Sequence, residues 1–356
     1  MARVYATRWV LVGALVMLAG CAHAPPAHHL TAAPSPHATW YPAGQLPAVS
    51  AAFDVAPYFV TLAFQRLDEP ALVTDALTGK VLAVVHAPGG TRFTGIAAAG
   101  DDHTFVLAAQ KSNASATRFY ELRLAPGGRP RPLVLLPVPA VAYGDTFAVS
   151  PDGSRLAIAT GTAPAGALEV VSLATKTVRV WKAPRGHASD LSWAGDRFLA
   201  FQWWGASRSA RVARARSGVR VLDTRTVGSD LMASRLIVHQ SARTGLGNFT
   251  GLAYPLISAD GSRLFATMLW GGPSNPMAEV VEFSARTGQA LAVVAPAEGE
   301  SGMGSWCGAL WTDPSGTRAT AVCAGEVRIG NGHFTRTNLH APRYNFSTPR
   351  GSFIAW

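Results

Sequence analysis

Phe147–Ala159, FAVSPDGSRLAIA, constrains this chain more than any other stretch, because it encodes a buried hairpin and returns in weaker copies. In Ser150-Pro151-Asp152-Gly153, proline presets φ, aspartate can bond its own backbone, and glycine takes a positive φ without strain. The β-branched and small apolar residues on either side suit strands covered on both faces. Four further stretches share the plan: Gly95–Ala109, Asp190–Gln202, Tyr254–Met268 and Gly308–Val322, each folded about a turn rich in Asp and Gly.

A second hairpin of different character, with a polar turn, follows each inner one: Ala71–Val85, Arg118–Leu136, Ala167–Trp181, Val219–Val238, Ala278–Val294 and Gly325–Leu339. The period is roughly 40–60 residues, the range of solenoids and propellers. Four strands per repeat with no helical periodicity predict propeller blades. A β-sandwich is the rival, but it does not require one inner-hairpin signature six times. Tyr58–Gln65 reads as a strand with no such hairpin before it, so the first blade lacks its innermost strand. Ser352–Trp356 aligns with the strands just before the other turns, Trp356 matching Trp193, Trp311, Val149 and Ile257. The expectation is an all-β, six-bladed β-propeller over residues 53–356, closed by its C-terminal strand. Seven blades would need strands hidden in a connection such as Ser207–Arg216.

SPDGSRLA and its echoes ADGSRLFA and DPSGTRATA resemble WD40-like and TolB-like propeller repeats. The overall order is similar to a group of actinobacterial extracytoplasmic propeller lipoproteins. From about residue 55 to the end, the resemblance implies a fold and brings no reaction with it. The Trp-Asp dipeptide that ends a true WD40 repeat is absent, so that family's partner-binding residues have no counterparts here.

Residues 1–20 read as a targeting segment, with Arg3 and Arg8 ahead of the short apolar run Val10–Ala19. That run falls short of the ~20 residues a membrane span needs. Leu18-Ala19-Gly20-Cys21 looks like a lipobox, which makes Cys21 the expected acceptor of a diacylglyceryl anchor on the outer face of the cell membrane. Residues 21–52 are rich in Ala, Pro and His without an apolar period, as expected of a flexible tether.

With Cys21 assigned, Cys307 and Cys323 remain as a pair flanking the Asp313–Gly316 turn almost symmetrically. A hairpin centred on Ser315 sets them opposite one another, within reach of a disulfide in an exported protein. The formal net charge is +10 and comes almost wholly from arginine. Arg208, Arg211, Arg214, Arg216 and Arg220 cluster just after Trp203 and Trp204, a candidate patch for an anionic envelope surface or an envelope protein. Nucleic acid does not suit an exported protein, and a monomer is expected.

No Gly-x-Ser-x-Gly elbow, HExxH, Walker loop or CxxC pair appears. The turn aspartates Asp101, Asp102, Asp152, Asp196, Asp260 and Asp313 repeat in position and therefore read as turn formers. His86, His103, His187, His239, His333 and His340 are scattered over different blades, with no spacing that selects a metal or catalytic set. The reading is a non-catalytic binding or scaffold module without cofactor or metal. The alternative is an envelope hydrolase or lyase with its site in the central channel.

Overall fold

In the computed structural model, the described residues are 57–62, 70–111, 116–142, 146–162, 165–207, 213, 216–240, 249–258, 260–270, 277–295, 307–312, 319–323, 326–330, 334–340 and 354–355. The first sheet takes β1 (Tyr58–Leu62), β2 (Ala71–Asp75) and β3 (Val81–Val85). The second is built on β4 (Thr91–Ala98), β5 (Thr104–Lys111) and β6 (Ala116–Ala125), with β7 (Arg129–Pro130), β8 (Val134–Leu135) and β9 (Val141–Ala142) all pairing with β6. The third is β10 (Phe147–Val149), β11 (Arg155–Thr162), β12 (Ala165–Ser172) and β13 (Val178–Pro184). β14 (Gly186–Ala194), β15 (Phe198–Gly205), β16 (Gly218–Asp223) and β17 (Arg235–His239) make the fourth. β18 (Phe249–Ile257), β19 (Arg263–Trp270), β20 (Met277–Ser284) and β21 (Ala290–Ala295) make the fifth. The sixth has β22 (Cys307–Thr312), β23 (Ala319–Cys323), β24 (Glu326–Gly330) and β25 (Phe334–His340). Last in the chain, β26 (Ile354–Ala355) returns to pair antiparallel with β1, setting Ala355 opposite Val60 and Ile354 opposite Thr61.

Among the described residues this makes five sheets of four strands and one of six, with neighbours in sequence paired except where β8 and β9 pair with β6 and where β26 meets β1. The first strand of each sheet packs on the first strand of the next, from β1 and β26 onto β4, then β10, β14, β18 and β22. Apolar residues of successive sheets interlock. Val60 and Val73 meet Ile96 and Phe105, Val106 and Phe119 meet Phe147 and Leu156, Leu168 and Trp181 meet Phe201 and Trp203, and Ala200 and Val219 meet Ile257 and Leu264. Antiparallel sheets stacked one on the next, with the chain end sewn into the first, constitute a β-propeller.

The turn aspartates hold the inner hairpins. Asp101 accepts the backbone N–H groups of His103 and Thr104 at 3.1 and 2.7 Å. Burial alone would raise its pKa, but these bonds and the Thr104 hydroxyl outweigh burial and lower it. Hydrogen bonds from Ser258 and Ser262 hold Asp260 at about 2.

The Arg118–Leu136 stretch departs from the expected single hairpin. Its outer strand is broken into β7, β8 and β9. Pro130, Pro132, Pro137 and Pro139 lack the N–H that a continuous ladder requires.

In the sixth sheet the ladder pairs Leu310 with Ala321, then slips by one residue so that Cys307 stands opposite Cys323. Without that bulge Cys307 would face residue 324.

A candidate ligand site on the inner strands

The Trp203–Arg220 surface patch expected from sequence divides when it folds. Successive strand residues point to opposite faces of a sheet. Trp203 is 1% exposed and belongs to the core shared by the third and fourth sheets, whereas Trp204 on the other face is half-buried. Arg220 is 7% exposed, and its Nη1 donates to the Ser234 carbonyl at 2.9 Å. Burial lowers its pKa, against the attraction of Asp230. Trp203 and Arg220 therefore serve the interior. Arg216 is exposed, and Arg208, Arg211 and Arg214 lie outside the described residues.

Trp204 belongs instead to a polar cluster at the inner edge of the fourth and fifth sheets. In β14 the ladder breaks between Ser189 and Ser192, leaving Asp190 and Leu191 unpaired with β15. In β18 it breaks between Ala253 and Leu256, leaving Tyr254 and Pro255 unpaired with β19. Asp190 and Tyr254 adopt φ of 49° and 51°. Such a backbone costs on the order of 1–3 kcal/mol per residue, and it persists only where surrounding contacts impose it.

The groups released from the ladders bond across the two sheets. The Tyr254 N–H donates to the Asp190 carboxylate. Ser192 Oγ donates to the Pro255 carbonyl at 2.6 Å. Ser189 Oγ donates to Asp190 Oδ2 at 3.3 Å and accepts from Trp204 Nε1 at 3.0 Å. The His187 ring lies nearly parallel to the Trp204 indole, 17° apart with centroids 6.5 Å apart.

Register fixes how these side chains are laid out. His187 pairs with Trp204, and Ser189 pairs with Gln202. Directly paired residues share a face, as do residues two apart. His187, Trp204, Ser189 and Gln202 thus form a two-by-two platform. Ala200, on the same face of β15, packs in the core shared with the fifth sheet, so the platform faces that sheet. Gln202 is fully buried at 0% exposure, and neither its Nε2 nor its Oε1 has a hydrogen-bond partner. Buried amides are rarely left in this state, since each orphaned group costs roughly 1–3 kcal/mol.

The electrostatics follow from enclosure. Asp190 keeps partial solvent access, yet protein surrounds it closely enough that burial pushes its pKa from 3.8 to about 6, against the hydrogen bonds from Tyr254 and Ser189. Burial, and then the charge of Asp190, raises Tyr254 to about 12. Burial lowers His187. Among the described residues, no group of three or more His, Cys, Asp or Glu stands where it could hold a metal ion.

The raised Asp190 pKa has a consequence for stability. Its neutral form is favoured by the fold, so its contribution is complete below pH 3.8 and is lost as pH rises through about 6. A shift of that size corresponds to at most about 3 kcal/mol, and solvent access reduces it to about 1–2 kcal/mol. Asp190→Asn is expected to raise unfolding free energy at pH 7.5 by that amount and leave it nearly unchanged at pH 4. Urea denaturation at the two pH values measures this, and parallel pH profiles for variant and wild type would contradict it.

Sequence reasoning placed Asp190 and Gln202 at the ends of an inner hairpin and His187 among scattered histidines. The signal it missed is Gln202 itself, an amide in a strand whose neighbours are Phe201 and Trp203.

No protein-family model and no curated protein sequence matches the chain. Solved structures resemble it at the level of fold. The periplasmic gluconolactonase of Pseudomonas aeruginosa is 17% identical with a TM-score of 0.47, over 80% of this chain and 82% of that one. The Dos1 propeller is 15% identical with a TM-score of 0.44, over 81% and 68%. A structure described as TolB from Agrobacterium tumefaciens is 15% identical with a TM-score of 0.43, over 73% and 86%. The propeller assignment stands on the strand order and packing of this chain.

Proposed function

We propose that this chain is a lipid-anchored, extracytoplasmic six-bladed propeller that binds a small neutral, polyhydroxylated ligand without transforming it. Each four-stranded sheet is one blade, and the six-stranded sheet is a blade whose outer strand is fractured by proline. The observation that carries the reading is Gln202. A buried amide with a free donor and a free acceptor suits a hydroxyl, which can be both, once the half-buried Trp204 swings aside to admit it. Around it stand Ser189, the partly neutral Asp190 and the flat Trp204–His187 pair, on which a sugar ring can lie.

Thermal unfolding of the full chain against neutral mono- and disaccharides tests this reading. At least one is expected to raise the midpoint of the wild type and leave Gln202→Leu unmoved. A panel that shifts neither protein refutes it.

The competing hydrolase or lyase reading has one observation in its favour, a carboxyl near pKa 6 suited to acid–base work. It is supported if a bound sugar is consumed by wild type and retained intact by Asp190→Asn.

Anchoring at Cys21 and a Cys307–Cys323 disulfide belong to the same proposal. The second draws support from the facing register of the two residues. The mass of the chain extracted from the envelope reads both, and a chain without acyl mass or with two free thiols refutes the corresponding part.

A further inference from the structure

The ligand site is closed in the free protein, and the group that closes it is Trp204. Trp204 and Gln202 lie two residues apart on one face of β15, opposite His187 and Ser189 of β14. The Trp204 indole does not bond to its own cross-strand partner. Its Nε1–H reaches the diagonal neighbour, Ser189 Oγ, at 3.0 Å, a span open to an aromatic side chain. An indole laid from position 204 toward position 189 runs beside Gln202 and covers it, in keeping with an amide at 0% exposure under a half-buried tryptophan. The backbone on either side is fixed. The Gly205 N–H donates to Ser217 Oγ at 2.9 Å, and the Ala206 N–H donates to the Arg185 carbonyl at 3.0 Å. Opening is therefore a turn of one side chain, latched by its bond to Ser189.

Opening uncovers two partners and not one. Ser189 and Gln202 are directly paired across β14 and β15, so their side chains rise side by side from one face. Ser189 Oγ donates to Asp190 Oδ2 at 3.3 Å, which leaves it lone pairs to offer the site. Whatever displaces the indole must therefore donate to Ser189. Gln202 beside it has a free donor and a free acceptor. A lone hydroxyl satisfies one of these two residues and leaves the other without a partner, whereas hydroxyls on neighbouring carbons satisfy both.

We infer that the site selects a vicinal diol: with Trp204 turned aside as a gate, one hydroxyl replaces the indole N–H on Ser189, and the hydroxyl on the next carbon accepts from Gln202 Nε2 and donates to Gln202 Oε1. The inference rests on the ligand-binding reading above and narrows it, from polyhydroxylated ligands in general to those with two adjacent hydroxyls free.

Fluorine NMR of the full chain labelled with 5-fluorotryptophan tests it, the Trp204 line being the one lost in Trp204→Phe. The probes are cis-cyclohexane-1,2-diol and cyclohexane-1,4-diol, alike in composition and different in hydroxyl spacing. The 1,2-diol is expected to move the Trp204 line at about tenfold lower concentration, the difference made by one hydrogen bond. Ser189→Ala is expected to make that line more sensitive to a dissolved nitroxide with no ligand present, and to abolish the preference between the diols. Gln202→Leu should abolish the preference while the nitroxide sensitivity stays at the wild-type level. Equal action of the two diols on the wild type, or a Trp204 line as shielded in Ser189→Ala as before, overturns the inference. A line that neither diol moves overturns it too, and if neutral sugars still raise the wild-type unfolding midpoint, ligand binding itself stands.

Discussion

Deleting residues 352–356 is expected to lower the unfolding free energy by about 3–5 kcal/mol, out of proportion to the few residues removed. β26 contributes the innermost strand of the first blade, pairs with Val60 and Thr61, and packs on β4 of the second blade. Val60 and Ala355 are both at 0% exposure. Without β26, ladder groups of β1 face water, the Val60 side chain loses cover, and the ring retains an open edge at its centre. Urea denaturation reads the change from the midpoint. A truncated chain that unfolds at the wild-type midpoint with the same slope contradicts closure by this strand.

Trp203→Ala is expected to cost about 3–5 kcal/mol, while Trp204→Ala, one residue away, should cost under about 1 kcal/mol. The indole of Trp203 lies between the third and fourth blades, in a space that two glycines leave open. A β-carbon on Gly186 would fall 2.3 Å from Trp203 Cζ2, and one on Gly166 would fall 3.1 Å from Trp203 Cη2. Gly186 has φ of 159°. The structure thus gives up two side chains to admit one large one, and truncating it leaves a void whose glycine walls have no side chains with which to fill it. Thermal and urea unfolding of both variants separate the roles. Equal losses would mean that the two tryptophans share one environment.

The contrast between these adjacent residues shows what the sequence conveyed and what it did not. The inner hairpins were legible because Ser-Pro-Asp-Gly and its copies carry their conformation in their own side chains, through bonds that span only a few residues. Closure was legible for a similar reason: the missing strand at one end and the spare one at the other end share a pattern. The facing of Cys307 and Cys323 followed from near symmetry about Ser315, although it depends on a bulge that no residue announces. The fractured outer strand of the second blade was within reach, since its four prolines are plain to see.

The candidate site was not legible. Aspartate at 190 and tyrosine at 254 take positive φ only because strands from two blades press on them, a constraint with no local signature. Gln202 is identified as an orphan only once the packing that buries it is known. The basic-aromatic patch failed as a patch for a simpler reason. Adjacency in sequence is opposition in a strand, and Arg220 lies on a buried strand where the sequence suggested a connecting loop.

The free protein holds the Gln202 amide without a hydrogen-bond partner, and in the proposed function that amide awaits a ligand hydroxyl. Comparing the unfolding free energy of wild type with that of Gln202→Leu, in ligand-free buffer, tests this most directly. Leucine has similar reach and no groups to satisfy, so the variant is expected to be more stable by about 1–3 kcal/mol. A variant less stable than wild type would mean that the amide already has its partners, and the site as described would not exist.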